Sequence, residues 1–215
     1  MASFNSFAAD LAAYLRTRVL TRRVLLLVLL VSGAILAGSE TVRVPGMPAL
    51  AALTAWLVVQ FRLWDDLADR DWDRLRYPQR LLVRTQHGQS FTGLLFASIL
   101  LFGATLLLRG QMRELLVYAI LVGLLGFLYH TPRGAGLSRP LRVGLVLSKY
   151  PLFVFIVGAD GLAPRATWVA LCLYGLLVAF DWRDDPELRS AAKLPGSVVA
   201  WSLGAAIVLA VFLTR

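Results

Sequence analysis

The stretch RLWDDLADRDWDRLR, Arg62 to Arg76, sets five carboxylates within the nine residues Asp65 to Asp73, at the end of an apolar run. A second acidic group, Asp181, Asp184, Asp185 and Glu187, closes another apolar run. On a helix Asp66, Asp69 and Asp73 stand at i, i+3 and i+7, which is one stripe, and Asp65 lies one turn before Asp69. Asp181, Asp184 and Asp185 stand at i, i+3 and i+4. Like charges so placed repel, and at a helix C-terminus they also oppose its dipole. Cations must therefore neutralise them. Carboxylate oxygens are hard ligands that suit Mg²⁺, which uses one or two carboxylates and completes its shell with phosphate oxygens and water. Two facing clusters can hold a diphosphate through bridging metal ions, with nearby Arg contacting the phosphate oxygens. The plainer alternative pairs these acids with Arg70, Arg74, Arg76, Arg183 and Arg189 at a wet interface.

The elements that carry these residues must suit lipid. The chain has 215 residues, 58% hydrophobic and only 16% charged, which places it in the membrane class. A spanning helix needs about 20 mostly apolar residues. Seven segments qualify or come close: Val24–Gly38, Ala49–Trp64, Phe91–Leu108, Leu115–His130, Leu141–Gly158, Thr167–Phe180 and Ser197–Leu213. The expected fold is an all-α, polytopic transmembrane bundle of about seven helices, forming one domain over 1–215. The first span has the basic start and small-residue end of a signal peptide, but some twenty residues precede it, so it is read as an uncleaved helix. Ahead of it, Phe4, Phe7, Leu11, Tyr14 and Leu15 recur at helical spacing. Residues 1–18 therefore read as an amphipathic interfacial helix, ahead of a bundle over 19–215.

Fifteen Lys and Arg residues fall in one set of alternate loops and five in the other. This bias puts the N-terminus and both acidic clusters on the cytoplasmic face of a cell membrane, the bacterial inner membrane being the expected one. The formal net charge of +9 serves topology and contacts with anionic lipid or phosphate, since no nucleic-acid module is present. Cys172 stands alone, which excludes a disulfide framework and a Cys-rich metal site.

DDLADRDWD resembles the first Asp-rich signature of the UbiA superfamily of membrane prenyltransferases, written NDxxDxxxD. Asp65 takes the Asn place, and Asp66, Asp69 and Asp73 take the three Asp places. YPQRLL is similar to the family's segment ending Arg-Pro-Leu, with Arg80 at the arginine. FDWRDDPE resembles the second signature, DxxDxxxD, through Asp181 and Asp184; its third Asp falls at Leu188, beside Asp185 and Glu187. The resemblance runs over about residues 49–195.

The resemblance implies an enzyme that uses Mg²⁺ to bind an isoprenyl diphosphate and transfers the prenyl group to a hydrophobic or aromatic acceptor. Asp66, Asp69, Asp73, Asp181 and Asp184 carry the chemistry on this reading. Asp65 and Asp185 complete the metal-binding set, and Arg80, Arg74, Lys149 and Tyr150 contact the diphosphate. Lys149 lies in the apolar helix LVLSKYPLF, where a cation is a functional candidate in its own right. Family members usually have nine helices, and this chain has one span beyond the second motif, so a second subunit or lipid is expected to complete the pocket.

Other readings compete. A terpene cyclase would use the same site without a separate acceptor. An inactive relative acting as a partner subunit would keep the fold alone. A transporter would place charges near the bilayer midplane in repeated halves, whereas these acids sit at helix ends. A CDP-alcohol phosphatidyltransferase needs an Asp-Gly-x-x-Ala-Arg pattern that the chain lacks. His87 and His130 have no second ligand at metal spacing, and Trp64, Trp72 and Trp182 read as an interfacial belt.

Overall fold

A computed structural model describes residues 2–39, 46–130, 139–158 and 163–184. Among them every regular element is helical. Helix α1 (Ala2–Tyr14) runs into a π-helical turn, Leu15–Val19, and is followed by α2 (Arg22–Gly38), α3 (Met47–Ala68), α4 (Arg70–Arg76) and α5 (Leu81–Arg84). Then come α6 (Gly88–Leu108), α7 (Met112–His130), α8 (Arg139–Leu147), α9 (Lys149–Val157) and α10 (Pro164–Asp184).

Four of these helices, α3, α6, α7 and α10, are long and apolar enough to cross a membrane. A fifth crossing results only if Phe7–Val19 and Arg22–Gly38, bent by 67°, count as one span. The pattern is compatible with a membrane protein. The expected span Leu141–Gly158 is not one helix but two of nine residues, α8 and α9. Pro151 gives the reason. It lacks an N–H and its ring crowds the carbonyl four residues back, at Leu147, so the first helix stops there and Pro151 sits in the first turn of the next. The expected span Ser197–Leu213 lies outside the described residues.

The contacts resolve two compact units: Met1–Leu30 with Ala51–Gln111, and Val31–Leu50 with Met112–Arg215. The first unit is built around Tyr14, Val19, Leu63, Leu82, Phe91 and Leu95, with Phe7, Leu11 and Leu15 packed against them. Phe7, Leu11, Tyr14 and Leu15 of the N-terminal segment thus pack on the protein's own core. Phe91 makes edge-type ring contacts with Phe7 and Tyr14, with centroids 5.3 and 5.6 Å away, contacts worth about 0.5–1.5 kcal/mol each beyond burial. Trp56 Nε1 donates to Ser98 Oγ at 2.8 Å, and Ser98 donates onward to Gln60 Oε1 at 3.0 Å, tying α3 to α6.

In the second unit α9 packs against α7 and α10. Tyr174 Oη donates to the Gly144 carbonyl at 3.1 Å, and a Cβ on Gly144 would sit 2.9 Å from that oxygen, so glycine lets α10 approach α8. Gly38 is pressed in the same way, with the Cα of Ala166 3.0 Å from where its Cβ would be.

Candidate functional site

The acidic stretch is not one straight helix. Helix α3 ends at Ala68 and α4 begins at Arg70, although Asp69 N–H still donates to Asp65 O and Asp73 N–H to Asp69 O. Asp69 occupies the junction. Tyr77 precedes Pro78 and is forced out of helical backbone, at φ −138 and ψ 59, which ends α4. The chain then reverses through Arg80 into α5.

That reversal brings Arg80 back onto Asp73. Its Nη1 donates to the two carboxylate oxygens at 2.6 and 2.5 Å, and its guanidinium lies 4.3 Å from the centre of the Tyr77 ring. Asp73 is 4% exposed. A buried carboxylate needs such a partner, because an unpaired one would cost several kcal/mol.

Asp66, 7% exposed, is held by the N-terminal segment. Tyr14 Oη donates to its Oδ2 at 3.0 Å and Arg18 Nε to the same oxygen at 3.1 Å, while Arg18 Nη2 bonds Oδ1. Arg62 Nε lies 3.5 Å from Oδ2, an ion-pair distance without hydrogen-bond geometry. Arg18 belongs to the π-helical turn, a widened turn of a kind found often at functional sites.

These pairs border one cleft of about 740 Å³ within the first unit. Asp10, Tyr14 and Arg18 line it from the N-terminal segment, Asp66 and Asp73 from the acidic stretch, and Arg80, Arg84, Thr85 and His87 from the following turn. Thr85 Oγ1 donates to Asp10 Oδ2 at 2.5 Å and accepts the His87 N–H at 2.9 Å, which fixes the loop ahead of α6. Three Asp carboxylates and three guanidinium groups share the lining, so their formal charges balance.

Of the expected site residues, the cleft unites Asp66, Asp73 and Arg80. Arg74 instead pairs with Asp71 at the surface, Nη1 to Oδ1 3.0 Å. Asp65 and Asp69 precede and occupy the helix junction and are not in the cleft lining. Lys149 and Tyr150 belong to the second unit, where Lys149 is 1% exposed and its Nζ lies 5.2 Å from the Tyr150 ring centre. Asp181 and Asp184 lie in the last turn of α10 in that unit, and Asp185 is outside the described residues.

Asp10, Tyr14, Arg18 and Thr85 were not expected as site residues. Asp10, Tyr14 and Arg18 are spaced i, i+4 and i+8, so the polar line along one face of the N-terminal helix was visible in the sequence. It was hidden because Tyr14 also belongs to the apolar stripe.

Among the described residues no group of three or more His, Cys, Asp or Glu side chains converges as a metal cage. The cleft lining includes Asp66 and Asp73, carboxylates of the hard-oxygen type that Mg²⁺ takes, each paired here with an arginine. Searches of protein-family models, curated proteins and solved structures find no match to this chain.

Proposed function

We propose that this chain is an integral membrane prenyltransferase of the UbiA-like type, with its site on the cytoplasmic face. It moves an isoprenyl group from an allylic diphosphate to a hydrophobic or aromatic acceptor. One observation carries the reading: two buried carboxylates of the acidic stripe, Asp66 and Asp73, border the same cleft as Arg18, Arg80 and Arg84.

In this scheme Asp66 and Asp73 would hold Mg²⁺, and the arginines would contact the diphosphate oxygens as hydrogen-bonded ion pairs. Bound Mg²⁺ supplies Lewis-acid stabilisation of the negative charge that gathers on the departing diphosphate. Arg80 and Arg84, at the two ends of the short α5, add positive charge beside the same cleft. The C–O electron pair leaves with the diphosphate, and the allylic carbon is captured by the acceptor, which gives up a proton. Leu81 and Leu82 offer an apolar wall beside the arginines for the first isoprene units.

A second reading has its own observation. Asp66 and Asp73 are each already engaged by a guanidinium, as expected of a relative that keeps the fold and binds lipid phosphates as a partner subunit without chemistry. Purified protein, Mg²⁺ and a panel of allylic diphosphates, with and without quinone-type acceptors, separate the two. Diphosphate release that EDTA abolishes supports the enzyme, and release without an acceptor points to cyclisation. Binding with no release supports the subunit.

A further inference from the structure

The proposed site needs both carboxylates free and several cations close by, yet in the resting structure the two sets are locked together. Arg18 makes this sharpest. Its guanidinium takes both oxygens of Asp66, and Tyr14 adds a third donor, so three of the roughly four lone-pair sites are occupied and a divalent ion that takes both oxygens must displace Arg18. Arg18 also lines the cleft, and its side chain keeps 26% exposure against 8% for Asp66. One end of the pair is buried while the other retains room to turn.

Resting on the reading above, we infer that Arg18, carried by the N-terminal segment, is a substrate-phosphate contact held in reserve on Asp66. When a Mg²⁺-diphosphate enters, Arg18 moves from the Asp66 carboxylate to a phosphate oxygen, and Asp66 becomes a metal ligand. The cleft starts with three carboxylates against three guanidinium groups. A bare metal ion would strand a displaced arginine, and a bare diphosphate would strand a carboxylate. Arriving together they exchange partners with nothing left unpaired. The two ligands therefore bind with positive coupling, and each raises the other's affinity by the same factor.

The arrangement has a signature that a purely structural arginine lacks: removing Arg18 shifts the two ligands in opposite directions. In purified full-length protein, Mn²⁺ binding is read by electron paramagnetic resonance and inorganic pyrophosphate binding by calorimetry with Mn²⁺ present. Arg18→Gln is expected to tighten Mn²⁺ alone and weaken pyrophosphate, each by about tenfold, the effect of one charge-assisted hydrogen bond. Arg18→Lys keeps the charge without the fork, so it shifts both the same way by less, and it carries the test if the Gln variant does not fold. Wild-type binding of both ligands with pyrophosphate unchanged or Mn²⁺ weakened in the variants overturns the inference and leaves the proposed function standing. Wild-type protein that binds neither ligand removes both.

Discussion

Asp66 on α3 is gripped by Arg18, 48 residues earlier in the chain, through bonds to both of its carboxylate oxygens. The N-terminal segment is therefore a wall of the cleft. What the carboxylate does can be separated from what it holds together. Asp66→Asn keeps the size and the Tyr14 hydrogen bond but removes the charge, so Mg²⁺-dependent diphosphate release should fall by about a hundredfold or more. The variant should still reach the membrane, with about 1–3 kcal/mol less stability, because Arg18 is partly exposed and keeps water as a partner. Full turnover in a purified Asp66→Asn variant would remove Asp66 from the metal-binding set.

Asp73 and Arg80 close the short reversal between α4 and α5. Asp73→Asn and Arg80→Gln should each destabilise, and the double variant should be less damaged than their sum, with a coupling of about 1–2 kcal/mol. The figure is kept low because the Arg80 side chain is about a third exposed, at 32%. Thermal unfolding of the four proteins in one detergent measures it. Additive effects would mean that the pair shapes nothing. Arg80→Lys should retain the fold yet lose diphosphate affinity, since an ammonium cannot reproduce the planar fork.

Apolar runs and helix ends were legible in the sequence because length and hydropathy decide them locally. The ends of α2, α6 and α7 at Gly38, Leu108 and His130 fall where the apolar runs of the sequence stop. The stripe of Asp66, Asp69 and Asp73 was legible only in part, because a break at Asp69 separates two helices where the spacing assumes one. Partner choice was not legible. Nothing local to Asp66 says that its counter-ion is Arg18, which was assigned to topology with the other basic residues. The run Leu141–Gly158 contains Pro151, and its apolar composition is equally compatible with one long helix or two short ones.

The proposed topology places the turn of α4 and the surface of α1 on the cytoplasmic side. Leu75 is 81% exposed, and Ala12 is exposed as well. Single cysteines at these positions, in a Cys172→Ser background, should react with a membrane-impermeant maleimide in inside-out vesicles and stay unlabelled in intact cells. Cysteine at Arg109, beyond the far end of α6, should show the reverse pattern. Labelling of Leu75 and Arg109 positions from the same side would overturn the assigned orientation.

The Trp56–Ser98–Gln60 chain tests whether α3 and α6 are joined as helices are in lipid. There, apolar burial drives little association, and close packing with interhelical hydrogen bonds carries more of it. Ser98 is the middle member, accepting from Trp56 and donating to Gln60, so Ser98→Ala breaks both bonds at once. Trp56 Nε1 loses its acceptor in a half-buried position, and the methyl group leaves little empty volume. The loss should be about 0.6–1.7 kcal/mol, read as a lowered unfolding temperature in detergent. Ser98→Thr keeps the hydroxyl and should lose less, whereas Trp56→Phe removes the donor and also part of the ring packed on Phe102, so it should lose more. If both Ser98 variants unfold together with the wild type, the bonded chain contributes nothing, and the join between α3 and α6 rests on side-chain packing such as that of Trp56 against Phe102, whose ring centres are 5.4 Å apart.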